Sequence, residues 1–93
     1  MHVGTCILHL RLASSHSLKE KRRIVKSIKD RVRSRFNVSI AEVDALDSWQ
    51  LATIGVACVS NEATFTNSVL SNVVSFIDDM RLAELVDYHI EIQ

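Results

Sequence analysis

Ninety-three residues, 47% of them hydrophobic and 24% charged, make one domain with one core and exclude a disordered chain. Proline is absent, only two glycines are present, and no apolar run nears the roughly 20 residues of a spanning helix; a turn-rich all-β chain and a helical membrane protein are excluded. Formal net charge is zero, yet Lys19 to Arg35 holds nine basic residues against two acids, +7, and the remainder two against nine, −7.

Val3 to Leu12 alternates with the period of a strand: Cys6, Leu8, Leu10 and Leu12 share one face, and Val3, Thr5, Ile7, His9 and Arg11 the other. Ala13 to His16 reads as a loop. Ser17-Leu18-Lys19-Glu20 is a capping box, with Ser17 accepting from the amide three residues on and Glu20 reaching back to the amide of Ser17. The helix it opens runs to about Arg35 and carries Leu18, Ile24, Val25, Ile28, Val32 and Phe36 in one arc. Asn37 is expected to end it in the left-handed conformation. Val38 to Leu46 reads as a second strand, with Ser39, Glu42 and Asp44 as its polar members, and Leu51 to Val59 as a third. The short turn between them, Asp47-Ser48-Trp49-Gln50, predicts a hairpin. Ser60 or Asn61 caps a second helix with an apolar stripe of Phe65, Val69, Val73, Phe76, Ile77 and Met80. Thr66, Asn67, Ser71, Ser75 and Asp78 fall away from that stripe. Val86, Tyr88, Ile90 and Ile92, alternating with Asp87, His89 and Glu91, predict a last strand.

The order βαββαβ predicts an α+β, ferredoxin-like sandwich spanning residues 1–93, a four-stranded antiparallel sheet with two helices on one face. Right-handed crossovers are expected to bring the first and fourth strands to the middle. The other face is left open, with Val3, Thr5, Ile7 and His9 from the first strand and Leu51, Thr53, Gly55, Ala57 and Val59 from the third. That set is too apolar for a solvated face. It predicts a homodimer, with Val3, Thr5, Ile7, Trp49, Leu51 and Thr53 as interface residues.

The helical wheel places Lys19, Arg22, Arg23, Lys26, Lys29 and Arg33 in one arc outside the apolar stripe. With Lys21 from the first turn they form the candidate nucleic-acid-binding set, a stripe suited to tracking RNA phosphates. Lys21 and Arg35 project into the apolar arc; each either snorkels or pairs with a carboxylate such as Glu42 or Asp44. Snorkelling suits Arg35 at the end of the stripe, and for Lys21 both alternatives stay open. The open face offers no aromatic for base stacking, and Phe36, Phe65 and Phe76 are assigned to the core. Trp49 is the exception, suited to a subunit interface, the edge of the core or a base.

No catalytic residue, metal site, cofactor or small-molecule substrate is evident. There is no Cys-x-x-Cys loop, the four histidines are dispersed, and the loop after the first strand has no glycine to cradle phosphate. His9 and His89 become neighbours if the first and fourth strands pair. The chain is expected not to be an enzyme. Cys6 and Cys58 read as buried free thiols, and with no basic-then-apolar leader the expected compartment is cytoplasmic.

Ser17-Leu18-Lys19-Glu20-Lys21-Arg22, Arg35-Phe36-Asn37-Val38-Ser39-Ile40-Ala41-Glu42-Val43 and Asp47-Ser48-Trp49-Gln50-Leu51-Ala52 leading to Gly55-Val56-Ala57, with Val3-Gly4-Thr5-Cys6 at the start, resemble the YlxP-like family, a bacterial domain of unknown function. The resemblance covers essentially the whole chain and implies a ferredoxin-like fold. It also implies a translational setting, because genes of that family commonly lie beside those for translation initiation and ribosome-binding factors. It implies no catalytic residue. Family members often carry proline near the end of the first strand, where Ala13 stands here, so that loop is expected to be less rigid. The expected partners are RNA or the ribosome and a second copy of the chain. The alternative is a homodimeric protein–protein module whose open sheet or basic helix docks on an acidic partner.

Overall fold

Alternation along the first strand decides which side of the sheet the helices cover. The structure, a computed structural model, describes residues 1–93: β1 (His2–Arg11), α1 (Leu18–Arg35), β2 (Ser39–Asp44), β3 (Leu51–Ser60), α2 (Ala63–Met80) and β4 (Glu84–Ile92). The strands form one antiparallel sheet in the order β2-β3-β1-β4, which with the two helices makes the ferredoxin-like α+β fold. The middle strands are therefore β3 and β1; the expectation that the first and fourth would be central is corrected. The β2–β3 hairpin folds β3 in beside β1, and β4 returns from α2 to the far side of β1, which leaves it at the edge.

Opposed residues in an antiparallel pair share a face. Cys6, Leu8 and Leu10 of β1 and Ala52, Ile54 and Val56 of β3 therefore turn together under the helices and are buried. Val25, Ile28 and Val32 of α1 and Leu70, Val73, Val74 and Ile77 of α2 close this core from above. The stripe of α2 is thus rotated from the expected one. Phe65, assigned to the core, is 58% exposed, whereas Thr66, expected to be solvated, is buried. The cause lies in the sheet beneath: Gly4 makes room for the Thr66 methyl and Leu70, so α2 settles on that side. The Thr66 hydroxyl is satisfied by Ser60 Oγ at 2.6 Å and by donation to the Glu62 carbonyl at 3.1 Å.

The helix ends differ from expectation in detail. Ser17 Oγ accepts from the Glu20 amide at 3.1 Å, but Glu20 reaches the amide of His16, at 2.8 Å, rather than that of Ser17. α1 ends at Phe36 in extended backbone, not at a left-handed Asn37, and Phe36 meets Phe76 edge-on with centroids 5.5 Å apart. α2 has no side-chain cap; Ser60 Oγ accepts from the Glu62 amide, before the helix begins. The left-handed residues are Arg81, which ends α2, and Ala45, after β2.

Ala45 belongs to the joint between α1 and β2. Lys21, whose side chain is 1% exposed, lies under α1 and not on its surface. Its Nζ donates to the Ala45 carbonyl at 2.6 Å and sits 2.8 Å from Glu42 Oε2, an ion pair off the hydrogen-bonding axis, which leaves Oε2 without a hydrogen bond of its own. Glu42, one of the two carboxylates offered as a partner for Lys21, thus turns toward the helix beside Ile40. A buried ammonium costs several kcal/mol of desolvation, and these two oxygens offset it.

Two outcomes follow for chemical unfolding. Gly4→Ala forces a Cβ against Thr66 and Leu70 and lowers stability by about 1–3 kcal/mol. Glu42→Leu, which strands the fully buried ammonium, costs about 3–5 kcal/mol; Lys21→Met costs less, because Glu42 keeps 13% exposure, and the double variant recovers most of either loss.

Candidate nucleic-acid interface

The apolar stripe of α1 fixes where its cations point. Lys21, Val25, Ile28 and Val32 are buried, so residues about 100° around the helix emerge along its outer flank. Lys19, Arg22, Arg23, Lys26 and Arg33 are exposed there, with Lys29 half-buried among them. Lys21 is the one member of the candidate set withdrawn from the surface, because its ammonium serves the α1–β2 joint. Arg33 locates the flank relative to the sheet: its Nη2 donates to the Ile40 carbonyl on β2 at 2.9 Å. The basic ridge therefore runs beside the β2 edge.

Asp30 is the acid within this ridge. Lys26 Nζ sits 2.6 Å and Arg33 Nη1 3.9 Å from its carboxyl oxygens. The hydrogen bond from Lys26, reinforced by the charges of Lys26, Arg33 and Lys29, holds the Asp30 carboxyl below the ordinary carboxylate range. Lys19, Arg22, Arg23 and Lys29 have no carboxylate within ion-pair distance. On the other flank Arg31 and Arg35 border a groove against α2, and the Arg35 guanidinium stacks 5.0 Å above the Phe76 ring instead of pairing with an acid.

The expected interface residues occupy the open sheet face and one end of it. Val3, Thr5 and Ile7 are half-buried at its centre, Thr53 is buried beside His9 with Oγ1 3.3 Å from Nδ1, and Leu51 is exposed. Sequence reasoning missed Val43, whose side chain folds over Gly55 on the same face; its alternation with Ser39 and Ala41 was the available signal. Trp49 is 56% exposed in the β2–β3 turn, which rules out the core-edge role. Ser48 Oγ accepts from the Leu51 amide at 3.0 Å, and Gln50 Nε2 donates to the Ser15 carbonyl at 3.1 Å, tying the turn to the loop before α1.

The groups that carry chemistry elsewhere are otherwise engaged or dispersed. Ser15 is buried and donates to the Ser17 carbonyl. Cys6 and Cys58 are free thiols; burial pushes Cys6 up to about 11 and raises Cys58, which keeps both protonated at neutral pH. His9 lies opposite Asp87, 3.8 Å away, and His89 opposite Ile7, so the two histidines are diagonal neighbours. No three His, Cys, Asp or Glu residues cluster for a metal ion, and no helix is long and apolar enough to cross a membrane.

Comparison with known proteins shows the family of this chain. A family described as "Protein of unknown function (DUF503)" matches residues 3–90. The chain is also similar to "Uncharacterized protein YlxP" of Bacillus subtilis (strain 168), 42% identical over 73 residues that cover 78% of this chain and 75% of that protein. The chain therefore belongs to the DUF503 family, the family of YlxP, whose function is unknown.

Proposed function

We propose that this protein is a cytoplasmic RNA-binding accessory factor of translation or ribosome assembly, with the outer flank of α1 as its RNA surface. The observation that carries the reading is the arc of exposed cations beside the β2 edge, with Asp30 alone opposing it. Evenly solvated helices intersperse both signs; this one gathers a single sign on a rigid, packed element. Such a stripe neutralises phosphates and releases counterions without reading bases. The open sheet face has no aromatic, so the reading is of structured RNA recognised through its backbone. The translational setting rests on the family resemblance.

The second reading is a homodimeric protein–protein module. It is favoured by the apolar centre of the open face, where Val3, Thr5, Ile7 and Val43 could seat another protein.

A filter-binding titration separates the two. Lys19, Arg22, Arg23 and Lys29, free of ion pairs, predict a slope of log affinity on log salt of about −3. Changing Arg22, Arg23 and Lys26 together to Glu abolishes retention while the circular dichroism stays unchanged, because all three are exposed. RNA affinity that is absent at low salt, or that survives this triple variant, sinks the RNA reading.

A further inference from the structure

The two edges of the sheet are treated differently. At β2, Arg33 occupies the Ile40 carbonyl and Lys21 the Ala45 carbonyl just beyond the strand. No side chain bonds to the outer backbone groups of β4, which has neither proline nor lysine to guard that edge. Tyr88, 52% exposed, stands on it beside Ile90 and Ile92.

The ladder fixes which groups of β4 face outward. Val3 and Gln93 exchange both backbone bonds, at 2.9 and 2.8 Å, so they form a hydrogen-bonded pair. Pairs of that kind alternate along an antiparallel ladder, and the register is unbroken from Gly4 to His9. Glu91, His89 and Asp87 therefore direct their amides and carbonyls to β1, and Ile92, Ile90 and Tyr88 direct theirs outward. The one bulge, at Val86, lies short of this stretch.

We propose that β4 pairs antiparallel with β4 of a second copy about a two-fold axis at Ile90, joining two sheets into one of eight strands. In this register the outward groups of Tyr88, Ile90 and Ile92 bond to one another across the axis. Tyr88 meets Ile92 of the second copy, an aromatic–branched pair, and Ile90 meets itself. On the opposite face His89 and Glu91, which bond to each other at 3.1 Å within each chain, meet the same pair of the second copy in reverse order, His89 opposite Glu91 twice over by symmetry. An axis at His89 would set Asp87 against Glu91, like against like. An axis at Tyr88 would run the pairing into the bulge. Glu84, held by Arg11 at 3.4 Å, stays outside the paired stretch. The second copy is thus chosen by self-complementarity, and the pairing leaves both basic ridges free at the outer ends, independent of what they bind.

The test uses the full chain in a Cys58→Ser background. Across the axis, residues 89 and 91 form a non-hydrogen-bonded pair with Cα atoms about 4.5 Å apart, inside the disulfide range. His89→Cys mixed with Glu91→Cys is expected to give a heterodimeric disulfide under mild oxidation, and neither variant alone a homodimer, since like positions lie beyond about 7 Å. Tyr88→Pro removes an outward amide and the ring that meets Ile92 of the second copy, and breaks no bond to β1; sedimentation is expected to show loss of the wild-type dimer with the melting temperature of the monomer kept. A wild-type chain that sediments only as monomer overturns the proposal, as does a Tyr88→Pro dimer. Crosslinking by His89→Cys alone, or by Ile7→Cys on the open face, overturns it too, the latter in favour of stacked sheets.

Discussion

The joint between α1 and β2 depends on one buried ammonium. β2 contributes a single core side chain, Ile40, and its outer edge has no strand beside it. Apolar packing alone would hold so short a strand weakly. Lys21 supplies the missing attachment: it binds Glu42 from within the strand and the Ala45 carbonyl just past it, where the chain turns through a left-handed residue. Removing either charge leaves the other in a medium that solvates it poorly, so the pair constrains the geometry more than it adds stability. Together with the apolar stripe of Val25, Ile28 and Val32, that constraint sets the rotation of α1, and the rotation decides which cations reach solvent.

The basic helix thus divides its charge between two tasks. Lys21 and Arg33 bond to β2 and fasten it; Lys19, Arg22, Arg23 and Lys26 stay exposed to solvent. The same division shapes the sheet edges. The β2 edge is covered by cations from its own helix, whereas the β4 edge has no side-chain cover and carries Glu84, Asp87 and Glu91. A chain of zero net charge is therefore polarised across its sheet, positive beyond β2 and negative along β4. Polarisation of this kind steers an anionic partner toward one side and keeps it from the other.

Much of this was legible in the sequence, for local reasons. Period-two alternation marked β1 and β4, a run of β-branched and small residues marked β3, the capping residue Ser17 marked the start of α1, and the gathering of nine cations between Lys19 and Arg35 announced a basic helix. These features need only near neighbours: a strand's alternation and a helix's wheel are properties of the backbone, and charge is counted without coordinates. The family resemblance rested on the same local stretches.

What only the tertiary structure decided are matters of contact between distant segments. The wheel placed Lys21 in the apolar arc and offered Glu42 or Asp44 as its partner, but could not choose pairing over snorkelling or find the Ala45 carbonyl 24 residues on. The stripe of α2 was misjudged because Phe65 outweighs Thr66 in hydropathy, while the choice between them was made by the bare backbone of Gly4 on another strand. The strand order, with β4 at the edge, came from how the hairpin packs beside β1 and not from any pattern within β4. The sequence by itself determined the elements and the segregation of charge, because both are local. The partners of Lys21, the rotation of α2 and the open edge at β4 waited on the fold, because each is set by what another element leaves room for.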